Sequence, residues 1–369
     1  MTKTPNLSSG TKWAAMAIVT ILGILLVIAA AEGLIRLRQL SKYGTATSFE
    51  SLYRFDEAIG IRVLVPNAQV GPIEINSLGF RGPEIPISKP ERRIRIAFLG
   101  ASTTFCAEVS DKSMVWPDLV VAGLRARFPG TEFDYVNGAV PGYRVETSHK
   151  NLNYKIEKLN PDIVVIYHAT NDLSHEVGLE AESQGLMPSG DHQPGWFSQH
   201  LLLWELAEKN IRVKFAQRGA ESDHGRVVLD EKRLGSKFRE NLRELIKASS
   251  SDNRRVAVAT FSARLRPEQS VDEMKQSAVS ALVYMPFMSL DNLLFGYARY
   301  NEIIRQVASD HGALLIGGEN EIPGDASHFV DSVHFTDAGS RRMADRVVEA
   351  LSQDPEIAAL ILERKSTTQ

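Results

Sequence analysis

From Arg93 onward, short β-branched runs alternate with longer amphipathic stretches, and few folds can satisfy that rhythm. Two strands that run parallel need a crossover of a dozen or more residues between them, usually a helix. The runs at residues 94–99, 133–137, 162–167, 256–261 and 313–316 read as five such strands. Each is short and apolar, as strands covered on both faces must be. Helices are predicted over 115–127, 145–159, 233–248, 292–310 and 337–352, with Pro or Gly near several of their ends. The expected main domain is therefore α/β, a five-stranded parallel sheet with helices on both faces. Two segments break the rhythm and are expected to be insertions over one sheet edge. One is 178–230, rich in Ser, Gly and His; the other is 264–290, which carries Met285-Pro286-Phe287-Met288. No self-similarity recurs at a period of about 20 to 50 residues, which excludes a solenoid.

The amino end follows different rules. Residues 13–31 carry no charge, and at about 1.5 Å per helical residue they nearly span a hydrocarbon core. This is a membrane-targeting element. Ala29-Ala30-Ala31 before Glu32 also resembles a small-residue cleavage site. The helical pattern nevertheless continues through Gly33-Leu34-Ile35-Arg36-Leu37-Arg38, which favours an uncleaved anchor over 1–40. Lys3, Lys12 and the free amine on one side face Arg36, Arg38 and Lys42 on the other, so flanking charge gives almost no preference of orientation. Residues 41–92, punctuated by Pro and Gly, are expected to be a neck packed on the main domain of 93–369. The 42 basic and 45 acidic residues nearly cancel, and no basic stripe stands out, which argues against a nucleic-acid surface. A single cysteine, Cys106, excludes an internal disulfide.

In open parallel sheets, ligands bind beyond the carboxyl ends of the strands, so the strand exits are where chemistry is expected. The first strand runs into Gly100-Ala101-Ser102, placing Ser102 where a helix amino end would favour an alkoxide. The second ends in Asn137-Gly138-Ala139-Val140-Pro141-Gly142, a loop whose backbone N–H groups could bind an oxyanion. The third ends in Ala169-Thr170-Asn171-Asp172, where the Asn171 amide could supply a further donor or simply cap a helix. After the last strand, Asp331-Ser332-Val333-His334 sets a carboxylate three residues before an imidazole, within reach of one ring nitrogen.

Taken together, these four segments resemble the SGNH hydrolases, also called the GDSL family, in order and spacing. The likeness runs from about Arg93 to the carboxyl end, and Asn76-Ser77-Leu78-Gly79-Phe80-Arg81-Gly82 resembles the lead-in of membrane-anchored members. It implies a three-layer, flavodoxin-like fold and a Ser102–His334–Asp331 triad. It further implies an oxyanion hole from the Ser102 and Ala139 amides and the Asn171 side chain, with no metal and no cofactor. Three alanines depart from the family pattern: Ala101, Ala139 and Ala169. A methyl at Ala139 is expected to crowd the acyl pocket and favour a small acyl group.

The expected activity is serine-esterase hydrolysis of short acyl esters, acetyl among them, on a small ester or an acylated carbohydrate or lipid. The expected location is a single-pass membrane protein with its catalytic domain outside the cytoplasm. Two alternatives stay open: an O-acyltransferase using the same triad on a sugar hydroxyl, and a non-catalytic anchored binding module. His168 and His175 could touch substrate or be structural, and Cys106 reads as core. Leu201-Leu202-Leu203-Trp204 with Leu206 could form a lid or an ordinary packed helix. The basic cluster Lys232, Arg233, Lys237, Arg239 and Arg243 reads as a solvated helix face.

Overall fold

The computed structural model describes residues 9–43, 49–186, 226–250 and 254–366, together with Trp204 and Ile211. It divides into two compact units, residues 1–47 with 191–212, and 48–190 with 213–369. In the first unit, helix α1 (Ser9–Tyr43) contains an apolar stretch, Trp13–Arg38, long enough to cross a membrane. Its two inner charges neutralise each other one turn apart, Arg36 Nε donating to Glu32 Oε1 at 2.8 Å.

The second unit opens with two small hairpins, β1 (Tyr53–Asp56) with β2 (Ile61–Leu64), and β3 (Gln69–Val70) with β4 (Ile73–Glu74). A parallel sheet follows: β5 (Arg93–Gly100), β6 (Glu132–Asn137), β7 (Ile163–Tyr167), β8 (Arg255–Ala259) and β9 (Leu314–Ile316). Their spatial order is β6-β5-β7-β8-β9, the doubly wound, flavodoxin-like arrangement. Such a sheet reverses direction between its first and third strands and opens a crevice there. All five expected strands are present, within a few residues of their predicted ends.

Helices α2 (Ser102–Phe105), α3 (Trp116–Arg127), α4 (Val145–Asn151), α5 (Thr170–Ser183), α6 (Ser236–Ser249), α7 (Val271–Tyr284), α8 (Leu290–Asp310), α9 (Asp337–Gln353) and α10 (Pro355–Ser366) surround the sheet. Helices α3, α9 and α10 pack together, as do α4, α5, α6 and α8, so the sheet lies between two helical layers. The helix expected over 145–159 is less regular than its periodicity suggests. After α4 it widens into a π turn at Leu152–Ile156 and tightens at Glu157–Leu159 before Asn160 turns left-handed. The expected basic cluster falls on and before α6, with Lys232, Arg233, Lys237 and Arg243 exposed.

Segment 264–290, expected to be an insertion, supplies core instead. Helix α7 begins with a capping box between Ser270 and Glu273, and Met285, Phe287 and Met288 are buried beside it. Most of 178–230, including the Leu201–Leu206 stretch apart from an exposed Trp204, lies outside the described residues.

The sheet is locked at its amino end by charges that a strand reading overlooks. Arg95 on β5 is fully buried. Its guanidinium meets Asp134 of β6 side-on, Nε to Oδ1 and Nη2 to Oδ2, both 2.8 Å, and donates to the Leu159 carbonyl at 3.0 Å. Asp162, one residue before β7, accepts the Arg95 N–H and pairs with Lys89 and Arg364. Two chain segments distant from it in sequence, 89–95 and the one that holds Arg364, thus converge on one carboxylate. Asp134→Ala should lower stability by roughly 3–5 kcal/mol in urea unfolding, because it leaves the Arg95 cation buried without its carboxylate. Replacing the pair together, Arg95→Met with Asp134→Leu, should lose less. Equal losses from the single and double variants would count against this account.

Candidate active site

The site is built at the exit of β5, where the sheet changes direction. Gly100 ends the strand, and the next turn folds so tightly that a Cβ there would collide with the Thr104 side chain. Ser102 therefore stands at the start of α2, half-exposed above the sheet. The helix expected behind it is a single turn, too short for much of a dipole. Its backbone N–H has no acceptor among the described residues.

His334 lies on the loop after β9, with Nε2 2.8 Å from Ser102 Oγ and Nδ1 2.8 Å from Asp331 Oδ2. The spacing of Asp331 and His334 has a local cause. Asp331 Oδ1 accepts the N–H of Val333 and of His334, each at 2.9 Å, a turn that leaves Oδ2 free to meet the imidazole. Burial alone would raise the Asp331 carboxyl. The hydrogen bond and charge of His334, with the two amides, outweigh it and hold the group below its usual value. An ionised carboxylate can only accept, so Nδ1 carries the ring proton and Nε2 presents a lone pair to the serine hydroxyl. That is the arrangement that makes a serine nucleophilic.

The 264–290 segment steadies this loop. Ser332 Oγ accepts the Ala281 N–H, Ser332 N–H donates to Ser280 Oγ, and the Ser332 carbonyl accepts from Arg264.

On the opposite side, Asn171 Nδ2 donates to the Tyr143 carbonyl at 2.9 Å, and Asp172 accepts the Val145 N–H through both oxygens, at 3.1 and 3.3 Å. Together they tie the first turn of α5 to the loop after β6. One N–H of Asn171 is thus spent on its neighbour.

Ala139 departs from expectation. It is fully buried, and its N–H donates to Asn137 Oδ1 at 3.2 Å, so that amide is committed within the protein. Gly142, three residues on and exposed, has an N–H with no acceptor among the described residues.

The neck packs directly on these loops. Leu52, Ile61, Val63, Leu64, Val70 and Ile73 share one apolar cluster with Ala101, Phe105, Ala139, Val140 and Tyr143. The gap lined by Val63, Phe80, Ala139, Val140 and Tyr143 is too small for a water molecule.

His168 is buried, not exposed to substrate. Its Nε2 meets Ser148 Oγ at 2.8 Å, and burial lowers its pKa to about 3, so it stays neutral. His175 is exposed on α5. Cys106 is buried and inert, its thiol pushed up to about 12 by the same desolvation. Sequence reasoning gave no such role to the residues that hold the Ser102 turn, Trp116, Asn137 and Arg81, each bonded to one or two of its carbonyls.

A doubly wound sheet with Ser102 after its first strand, hydrogen-bonded to a His–Asp pair after its last, is the build of an α/β serine hydrolase. The match to a family model narrows this: residues 98–342 fit the GDSL-like lipase/acylhydrolase family, and the chain belongs to it. It is a carboxylic ester hydrolase. Comparison with curated protein sequences finds no match. Among solved structures, a lipase/acylhydrolase from Enterococcus faecalis is similar at 18% identity, covering 70% of this chain and 95% of that one, with a TM-score of 0.42. An acetylxylan esterase from Geobacillus stearothermophilus is similar at 15% identity over 71% and 95%, with a TM-score of 0.42.

Asp172 gives a pH signature. Burial raises its carboxyl to about 7, against the opposing effect of the Val145 N–H. A folded pKa above the unfolded value of about 3.9 means full stability below that value, lost as pH rises toward 7. Asp172→Asn can keep the bond to Val145 through its amide oxygen and cannot ionise. Its stability relative to the wild type should therefore climb between about pH 4 and 7 and level off above. A pH-independent difference in thermal unfolding would refute the buried-carboxyl assignment.

Proposed function

We propose that Ser102 is the nucleophile of ester hydrolysis, His334 its general base and Asp331 the group that orients and charges the imidazole. The unbroken hydrogen-bond chain from Ser102 Oγ through His334 to Asp331 carries this reading. As Oγ attacks the ester carbonyl, its proton passes to His334 Nε2, and the carbonyl oxygen becomes an oxyanion. His334 then returns the proton to the departing alcohol oxygen, leaving an acyl-serine. Water repeats the sequence, giving its proton to His334 and releasing the acid. The oxyanion is met by the Ser102 N–H and the uncommitted N–H of Asn171. We assign the third donor to Gly142, since the Ala139 amide is already engaged.

The wall formed by Ala139, Val140 and Tyr143 is filled from behind by the neck, which supports a short acyl group, acetyl above all, on a small ester or an acylated carbohydrate or lipid. Helix α1 is proposed as a retained single-pass anchor that keeps the catalytic unit outside the cytoplasm, because its apolar pattern runs on past the small residues at 29–31. A sugar hydroxyl could take the place of water in the second half of the cycle, so turnover is best measured with and without such an acceptor.

A fluorophosphonate probe should label the wild type and fail to label Ser102→Ala. Labelling that survives that substitution would remove Ser102 from the mechanism. Asn171→Ala should lower kcat by about 10²- to 10³-fold, well beyond any change in KM, because the bond strengthens only as charge develops. A lower melting temperature with turnover unchanged would leave Asn171 as no more than a tie to Tyr143. The full chain should sediment with membranes, and a chain starting after Leu40 should be soluble and active. Mature protein that begins at Glu32 would instead mark α1 as a cleaved signal.

A further inference from the structure

The hydrolytic reading leaves Asn76-Ser77-Leu78-Gly79-Phe80-Arg81-Gly82 without a task, although its turn is densely hydrogen-bonded. Asn76 Oδ1 accepts the N–H of Leu78 and of Phe80, at 3.1 and 2.9 Å, and its Nδ2 donates to the Pro83 carbonyl at 2.9 Å. Gly79 and Gly82 both have positive φ, +73° and +137°, which a side chain would resist. A Cβ at Gly82 would also come within 3.0 Å of Tyr135 Oη. Phe80 is buried in the main core beneath the Lys155 ammonium, 4.3 Å from its ring. The result of this construction is that Arg81, only 3% exposed, enters the protein behind Ser102.

We propose that this turn exists to deliver Arg81, and that Arg81 is a positioning residue for the nucleophile; the inference rests on the Ser102 reading above. A one-turn helix cannot hold itself, since nucleating a turn is unfavourable until further bonds add to it. The carbonyls of α2 are instead satisfied one by one. Those of Ala101 and Ser102 accept from within the turn, that of Thr103 from Trp116 Nε1, and that of Thr104 from Asn137 Nδ2. The last two, of Phe105 and Cys106, both accept from Arg81 Nη1, at 2.5 and 2.7 Å. The guanidinium also lies 4.9 Å from the Phe105 ring centre. Cys106 between them sits at φ 56°, ψ 55°, a left-handed conformation that a residue with a Cβ keeps only where its surroundings impose it. A single nitrogen bridging the carbonyls of Phe105 and Cys106 fixes the peptide planes on either side of that residue. It thereby fixes the way the chain leaves the turn and where Ser102 Oγ points. An ammonium in place of the guanidinium keeps the charge and loses the planar fork.

The experiment uses the full-length protein. Turnover of p-nitrophenyl acetate, the rate of fluorophosphonate labelling and the melting temperature are measured for Arg81→Met, Arg81→Lys, Phe80→Leu and Ser102→Ala. Phe80→Leu loosens the same turn without touching the carbonyl bonds. Arg81→Met should lose about 10²-fold in kcat with KM within about threefold, labelling should slow in parallel, and Arg81→Lys should recover part of the loss. Phe80→Leu, compared at a similar fall in melting temperature, should keep kcat within about threefold. Folded Arg81→Met turning over within about threefold of wild type would overturn the proposal. If Arg81→Met does not fold, Arg81→Lys decides: a loss of about tenfold or more sustains the inference, and parity overturns it. Ser102→Ala keeps the two readings apart. Full activity in that variant fells the nucleophile assignment and this inference with it, whereas inactivity there with parity at Arg81 fells this inference alone.

Discussion

The structure turns on a helix that is only four residues long. A turn of that length has no propagation to stabilise it, yet Ser102 sits at its head and must meet His334 from a loop more than two hundred residues away at 2.8 Å. The protein resolves this by giving each carbonyl of the turn a partner, three of them from separate elements. Trp116 comes from α3, Asn137 from the end of β6, and Arg81 from the segment before β5. The sheet brings these elements together, the hairpins close over them, and the Ser102 turn inherits the rigidity of its surroundings. Such external fixing matters because a reacting geometry misplaced by about 1 Å can lose on the order of 10²-fold in rate.

Much of this was legible from residue patterns, and the reasons differ by element. The strands were found because a strand covered on both faces must be largely apolar, and where Arg95 on β5 breaks that rule, Asp134 across the ladder compensates for it. The four candidate segments were singled out because chemistry collects at strand exits. The pairing of Asp331 with His334 was less secure. Asp325 and His328 show the same spacing and the same contact, Nδ1 to Oδ1 at 2.9 Å, and only the fold decides which imidazole meets Ser102. What could not be read were contacts that depend on long-range placement. Nothing in Met285-Pro286-Phe287-Met288 says that its neighbours would brace the His334 loop, and nothing in Arg81 says that its partners would be carbonyls.

Ala139 shows the limit of matching by position. An alanine has the same amide as a glycine, so its N–H looked available. Asn137, two residues earlier, folds its side chain back and takes that N–H, while its own amide reaches the Thr104 carbonyl. Asn137 is therefore a strut between the Ser102 turn and the loop after β6. The amide left facing outward is that of Gly142, beside the Tyr143 carbonyl that Asn171 holds. In the proposed oxyanion hole the donor therefore lies three residues further along the loop, and the asparagine after the third strand ties that loop to α5.

The distribution of charge follows from the same demands. At the amino end of the sheet, Arg95, Asp134, Asp162, Lys89 and Arg364 form a dense network, where strength of attachment is all that is asked. At the carboxyl end the ties are mostly between neutral groups: Ser332 to Ala281, Asn171 to Tyr143, Ser148 to a His168 kept uncharged by burial. A buried charge near a reacting ester would act on every state along the path, whereas a neutral bond fixes position and adds little field. Arg81 is an exception, as is the buried Arg346, whose guanidinium meets the Thr260 and Ile316 carbonyls. Arg81 meets the Phe105 and Cys106 carbonyls at the end of the turn opposite Ser102.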